Sequence, residues 1–80
     1  MQKHIKNFIT HYKLAEGEFF PCQCCGEEAA VDIHHIIHRS QGGSDEIGNL
    51  IGLGRDCHLR AHYLQKPYLE AEELLEILNK

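Results

Sequence analysis

No stretch of these 80 residues is apolar for long enough to cross a bilayer as a helix. The opening residues, Met1-Gln2-Lys3-His4-Ile5-Lys6, lack the apolar run of a signal peptide, so a cytoplasmic location is expected. Positive charge is also scarce. Lys and Arg number 8 against 12 Asp and Glu, a net −4, whereas strong non-specific binders of polyanions are usually basic. The acidity is local: four glutamates (70, 72, 73 and 76) against Lys80 put residues 67–80 at −3 and leave the rest at −1. There is no internal repeat and no low-complexity tract, so nothing suggests a solenoid or a disordered tail. Nor are there enough residues for a large core. A chain this short buries a smaller share of its surface than a larger domain does, and it needs a staple.

Cysteine and histidine are abundant enough to supply one. The 4 cysteines fall at 22, 24, 25 and 57, so Cys22-Gln23-Cys24-Cys25 contains a C-x2-C and Cys57 sits directly before His58. In an exported protein such a set would be read as disulfides; in a cytosolic one, clustered thiols point to metal. A redox role like that of thioredoxin is disfavoured, because no βαβ pattern surrounds the motif.

The apolar pattern gives an element order of helix, knuckle, strand, loop, strand, helix, helix. Ile5, Phe8, Ile9 and Tyr12 recur at helical spacing, which predicts a helix over 2–15, ended by Gly17. Phe19-Phe20-Pro21 leads into the cysteine cluster and Gly26. Residues 30–37 form a β-branched run, with Val31, Ile33 and His35 alternating against Asp32, His34 and Ile36 across a strand. A polar loop over 38–48, punctuated by Gly42, Gly43 and Gly48, precedes a second short strand at 49–53. Helices are expected from about Asp56 to Gln65, before Pro67, and from Tyr68 to Leu78. In the last, Leu69, Leu74, Leu75 and Leu78 form the apolar stripe and the glutamates a solvated face. The fold class is α+β. Three segments make up one small domain: an N-terminal helix (1–16), a metal-binding core (21–62) and an acidic amphipathic C-terminal helix (67–80).

Five residues carry the chemistry. His58 and His62 lie four apart on the predicted helix, so their rings face the same way and can grip one cation. His34 can add a third ligand from the strand, which leaves His35 beside the metal without having to ligate it. Asn49 follows fourteen residues after His35. A metal with open positions and a neighbouring imidazole is the minimum apparatus for cutting a phosphodiester.

Read together, Cys22-x2-Cys25-Gly26, Asp32-Ile33-His34-His35-Ile36, Gly42-Gly43, Asn49-Leu50 and Leu53 through Cys57-His58-x3-His62 resemble the HNH endonucleases. These have a ββα-metal core, the His-Me finger. The resemblance runs from about Pro21 to His62 and implies a role for each matching position. His34, His58 and His62 would hold one catalytic divalent cation (Mg, Mn, Ni or Zn). His35 would be the general base and Asn49 the residue that braces its loop. Cys22, Cys25 and Cys57 would bind a structural zinc. There the chain departs from the pattern, since Gly54 stands where a fourth cysteine is expected, and Cys24, His38, Asp56 or a partner would have to complete the site. DNA is the implied substrate, nicked one strand per active site, with a homodimer or a larger nuclease complex for double-strand cuts; no membrane is involved.

Three alternatives remain at this level. Cys22, Cys25, His34 and His38 could form a short zinc finger, although the β-branched run opposes the helix it would need. The chain could be an inactive zinc-stabilised module that binds nucleic acid or protein, or a nuclease subunit that needs a partner. Arg39, Arg55 and Arg60 are the candidate phosphate contacts. His4 and His11 on the first helix read as solvated.

Overall fold

A computed structural model describes residues 2–15 and 18–79. The first helix, α1 (Lys3–Tyr12), has Phe8 as its buried anchor. It stops short of the expected residue 15 because Lys13 turns into the left-handed region (φ 54°, ψ 45°) and returns its N–H to the last carbonyls. This backbone cap does what Gly17 was expected to do; Gly17 itself lies outside the described residues. The knuckle follows, with Pro21 paired to Ala29 and the Cys22 amide bonded to Glu28 O at 2.8 Å.

Two four-residue strands, β1 (Asp32–His35) and β2 (Leu50–Leu53), pair antiparallel. Strand β1 is shorter than the β-branched run that predicts it. The chain bends at Ile36 and Ile37, where the Ile37 amide bonds to the Asn49 side chain and not to a strand. The intervening loop carries two short 3-10 turns, Arg39–Gln41 and Ile47–Asn49. Helix α2 (Arg55–Ala61) ends four residues before the expected Gln65, and His62 becomes its C-cap. Helix α3 (Ala71–Leu78) starts later than Tyr68, with Glu72 and Glu73 in its first turn, where carboxylates suit the helix dipole. No described helix is long and apolar enough to cross a membrane.

Strand alternation divides the molecule. The register pairs Asp32 with Leu53 and His34 with Ile51, so these four residues share one face of the hairpin. Ile51 and Leu53 there join Cys22, Ile36, Cys57, Ala61, Leu69 and Leu74 in the main core. His35, Ile33, Leu50 and Gly52 take the opposite face, which α1 covers: Phe8 approaches Gly52, and His4 lies against His35 with ring centroids 4.6 Å apart. Phe8, Tyr12 and Phe20 make a small aromatic cluster on this side, centroids 4.7 to 5.2 Å apart.

Gln23 joins the parts. It exchanges bonds with Gly52, backbone N to O at 2.9 Å and Gly52 N to its Oε1 at 2.7 Å, and it donates to the Tyr12 hydroxyl at 3.1 Å. Knuckle, β2 and α1 are thereby held by one side chain.

Gly43 is required by close approach. A Cβ there would collide with the carbonyl of Ile37 and come within 2.9 Å of His38 O, whereas one on Gly48 meets nothing within 4 Å. Gly43→Ala is therefore expected to destabilise the fold by about 2 kcal/mol or more and Gly48→Ala by about 0.5 kcal/mol or less. Denaturant unfolding of the two variants measures the contrast.

Candidate active site

Three histidines converge between β1 and α2. His34 on β1, His58 on α2 and His62 at its C-cap each present a ring nitrogen, all within 4.8 Å of one another. The His58 and His62 Nε2 atoms face each other at 3.0 Å. The other His58 nitrogen, Nδ1, bonds to Asp32 Oδ2 at 3.0 Å, so a carboxylate fixes the ring and leaves Nε2 for a cation. Asp32 can reach because it shares a strand face with His34, two residues away. His34 is only 4% exposed. Burial, then the nearby His58, His62 and His38 rings, pulls its pKa down to about 4, which keeps it neutral. Burial and the His58 and His38 rings also lower His62. Neutral imidazoles converging on one point are a donor set that suits a first-row divalent cation.

His35 lies next to this triad but points to the other face of the strand. Its Nε2 bonds to Asp45 Oδ1 at 2.8 Å. The same oxygen receives Arg39 Nη2 at 3.0 Å and Nε at 3.1 Å. The His35 hydrogen bond, then Arg39 against an opposing desolvation, holds the Asp45 carboxyl below its usual range. His34 and His35 still open onto a common cleft of about 370 Å³, with His38, Arg39, His58 and His62 in its walls.

Asn49 is 9% exposed and makes three hydrogen bonds across the loop. Its Nδ2 donates to Ile37 O at 3.0 Å and Ser44 O at 2.8 Å, and its Oδ1 accepts from the Ile37 amide at 2.8 Å. Asn49 thus clips the two ends of the 37–44 segment together.

The thiols of Cys22, Cys25 and Cys57 form a second group within 4.8 Å. Burial raises Cys22, but backbone N–H groups of Gly54, Cys25 and Cys24 and the Cys25 thiol outweigh it and bring the pKa to about 7. Burial and the neighbouring Cys22 and Cys24 thiols push Cys57 up. One acidic thiol ringed by backbone donors suits a zinc ligand set, and a cation entering it would displace the remaining thiol protons. Position 54 cannot provide a fourth ligand. A glycine has no side chain to ligate with, and a Cβ there would lie 2.8 Å from Oε2 of the exposed Glu28 side chain and 3.2 Å from Ala29 O. His38 is not beside the thiols. Its ring is 5.7 Å from those of His34 and His62, and His34 stands with the histidines, not the cysteines, so the short zinc finger does not form.

The 80 residues match the HNH endonuclease family model over 22–64. The chain belongs to the HNH endonuclease family. Among curated proteins it is 33% identical to "Type IV methyl-directed restriction enzyme EcoKMcrA" of Escherichia coli (strain K12), over 71% of this chain and 22% of that one. It is 49% identical to "Probable mobile endonuclease C" of Enterobacteria phage T4, over 46% and 18%. "Anaredoxin" of Nostoc sp. is 34% identical, over 76% of this chain and 70% of its own length. The chain therefore spans about a fifth of the first two relatives. No solved structure matches it significantly.

Against the HNH pattern, the sequence reading missed three contributors. His4 was expected to be solvated, yet it packs on His35 and accepts from Arg39 Nη2 at 3.3 Å. Asn7 donates to Asp45 O at 2.8 Å. Asp45 lies in the polar loop over 38–48, to which the sequence assigned no contact with His35. Nothing in local spacing marks these residues, which meet only when α1 covers the hairpin. Two of the three candidate phosphate contacts are already engaged: Arg39 with Asp45, and Arg60, whose Nε donates to Pro67 O at 2.6 Å. Arg55 is exposed.

The Asp32–His58 bond yields a test. Asp32→Asn keeps the shape but weakens the acceptor, and divalent-cation affinity by titration calorimetry should fall about ten- to a hundredfold.

Proposed function

We propose that this chain is a metal-dependent endonuclease module that hydrolyses phosphodiester bonds in DNA, nicking one strand per active site. The observation that carries this reading is the convergence of His34, His58 and His62 on one point, with His35 on the same cleft and free of that triad. His34, His58 and His62 would hold a divalent ion, which would supply positive charge to offset that on the scissile phosphate and the departing 3′-oxygen. His35 takes the proton from the attacking water, a task suited to an imidazole near neutral pH. Asn49 holds the loop across from the base in a single conformation. Restriction and mobile endonucleases among the relatives support DNA as the substrate. The reading of 1–16, 21–62 and 67–80 as one domain is supported by α1 placing His4 on His35 and Asn7 on Asp45, and by Leu74 of α3 packing into the main core.

Cys22, Cys25 and Cys57 hold a structural zinc in the same reading, with the fourth ligand from outside position 54. Protein purified without chelator should carry about one tightly held zinc per chain. Cys57→Ser should lose that zinc and unfold at a lower temperature. Absence of tightly bound zinc by metal analysis would defeat the assignment.

Plasmid nicking by metal-stripped protein, repeated with Mg, Mn, Ni and Zn beside His35→Ala, tests the function directly. The expected result is metal-dependent nicking that His35→Ala reduces by about a hundredfold or more, with cation affinity largely retained. Unchanged nicking by the variant would remove His35 from its role. No nicking from folded, metal-loaded wild type at low salt would instead favour an inactive binding module or a subunit awaiting its partner. The acidic balance and Gly54 are the features that fit that second reading.

A further inference from the structure

The N-terminal helix lies outside the residues that match the family model, yet it reaches the base. We propose that Asp45, held in place by α1 and Arg39, is a positioning residue that fixes the His35 ring with Nε2 protonated and Nδ1 open to water. This rests on the reading of His35 as the base.

The chemistry of the contacts leads there. A neutral imidazole has one donor and one acceptor nitrogen, and an ionised carboxylate can only accept. With Asp45 Oδ1 at 2.8 Å, the His35 proton sits on Nε2 and the lone pair on Nδ1. Among the described residues, no protein group bonds to that Nδ1. Asp45 is in turn held from three sides. Asn7 Nδ2 bonds its carbonyl at 2.8 Å, Asn49 ties the preceding Ser44 carbonyl at 2.8 Å, and Arg39 places two N–H donors on Oδ1. His4 closes the remaining side, with its ring on His35 and its Nδ1 toward Arg39. A carboxylate behind an imidazole, itself anchored, is the arrangement that sets tautomer and aim in hydrolases with a histidine base.

A second metal site is the rival interpretation, since His4, His35 and Asp45 present ligand atoms within 4.8 Å of one another. Arg39 argues against it. Its guanidinium lies 3.0 Å from Asp45 Oδ1, so a cation on the same carboxylate would meet a like charge at short range.

The test pairs ¹⁵N NMR of the imidazoles in magnesium-loaded protein with nicking kinetics, the His35 signals being assigned by their loss in His35→Ala. Wild type should show His35 as the Nε2–H tautomer. Asp45→Asn should mix or reverse the tautomer and lower kcat about a hundredfold or more, with KM for DNA and cation affinity unchanged. Asn7→Ala should lower kcat by a smaller factor, about three- to tenfold, in the same pattern. An Asp45→Asn protein with unaltered tautomer overturns the proposal, whether or not its activity falls. A wild type that does not nick, but whose Nε2–H tautomer is lost in Asp45→Asn, would refute the nuclease reading and leave this assignment standing.

Discussion

The antiparallel register of two four-residue strands governs everything the site can do. Because side chains alternate across a strand, the pairing of His34 with Ile51 and His35 with Leu50 sends adjacent histidines to opposite faces. His34 meets the helix that carries His58 and His62, and His35 meets α1. A slip of one residue would exchange them, leaving the triad without its strand ligand. So short a ladder has few hydrogen bonds with which to resist slipping. Two side chains outside it reinforce the register: Gln23 grips Gly52 through backbone and side chain, and Asn49 grips the chain just beyond β1.

Electrostatics then distributes the work. Gathering three imidazoles in a partly buried site disfavours protonation, which makes the cluster a ready receiver for a cation. Carboxylates stand behind two of the functional rings, Asp32 behind His58 and Asp45 behind His35. The two pairs are chemically alike but serve different ends. The first pair leaves His58 Nε2 facing His62, and the second leaves His35 Nδ1 without a protein hydrogen bond among the described residues. The thiol group is a separate matter of stability. It ties the knuckle to α2 through Cys57 and stands in for core that a chain this short lacks.

The flanking helices contact the histidine sites in unequal degree. Helix α3 buries Leu74 against the main core and keeps its glutamates in solvent, as its leucine stripe suggested. Helix α1 reads from its sequence as an amphipathic cover, and it is one. In addition it brings Asn7 to Asp45 in the loop and His4 to the His35 ring. The first two relatives are roughly two and a half to four times this length, and their alignments with this chain cover about a fifth of each.

Sequence alone was enough to identify the α+β class, the element order, the C-x2-C and the His34-His35, Asn49, His58-x3-His62 constellation. Those signals are local: strand alternation, helical i, i+4 spacing and paired thiols are set by backbone geometry within a few residues. Element ends were less legible. Lys13 caps α1 in a left-handed conformation, and the turn at Ile36–Ile37 depends on a side chain twelve residues away. The contacts of Asp45, His4 and Asn7, the engagement of Arg39 and Arg60, and the approach of Glu28 to Gly54 were decided only by tertiary structure. Each joins residues that no backbone period relates, and such contacts exist only after α1, the knuckle and the loop have closed around the hairpin.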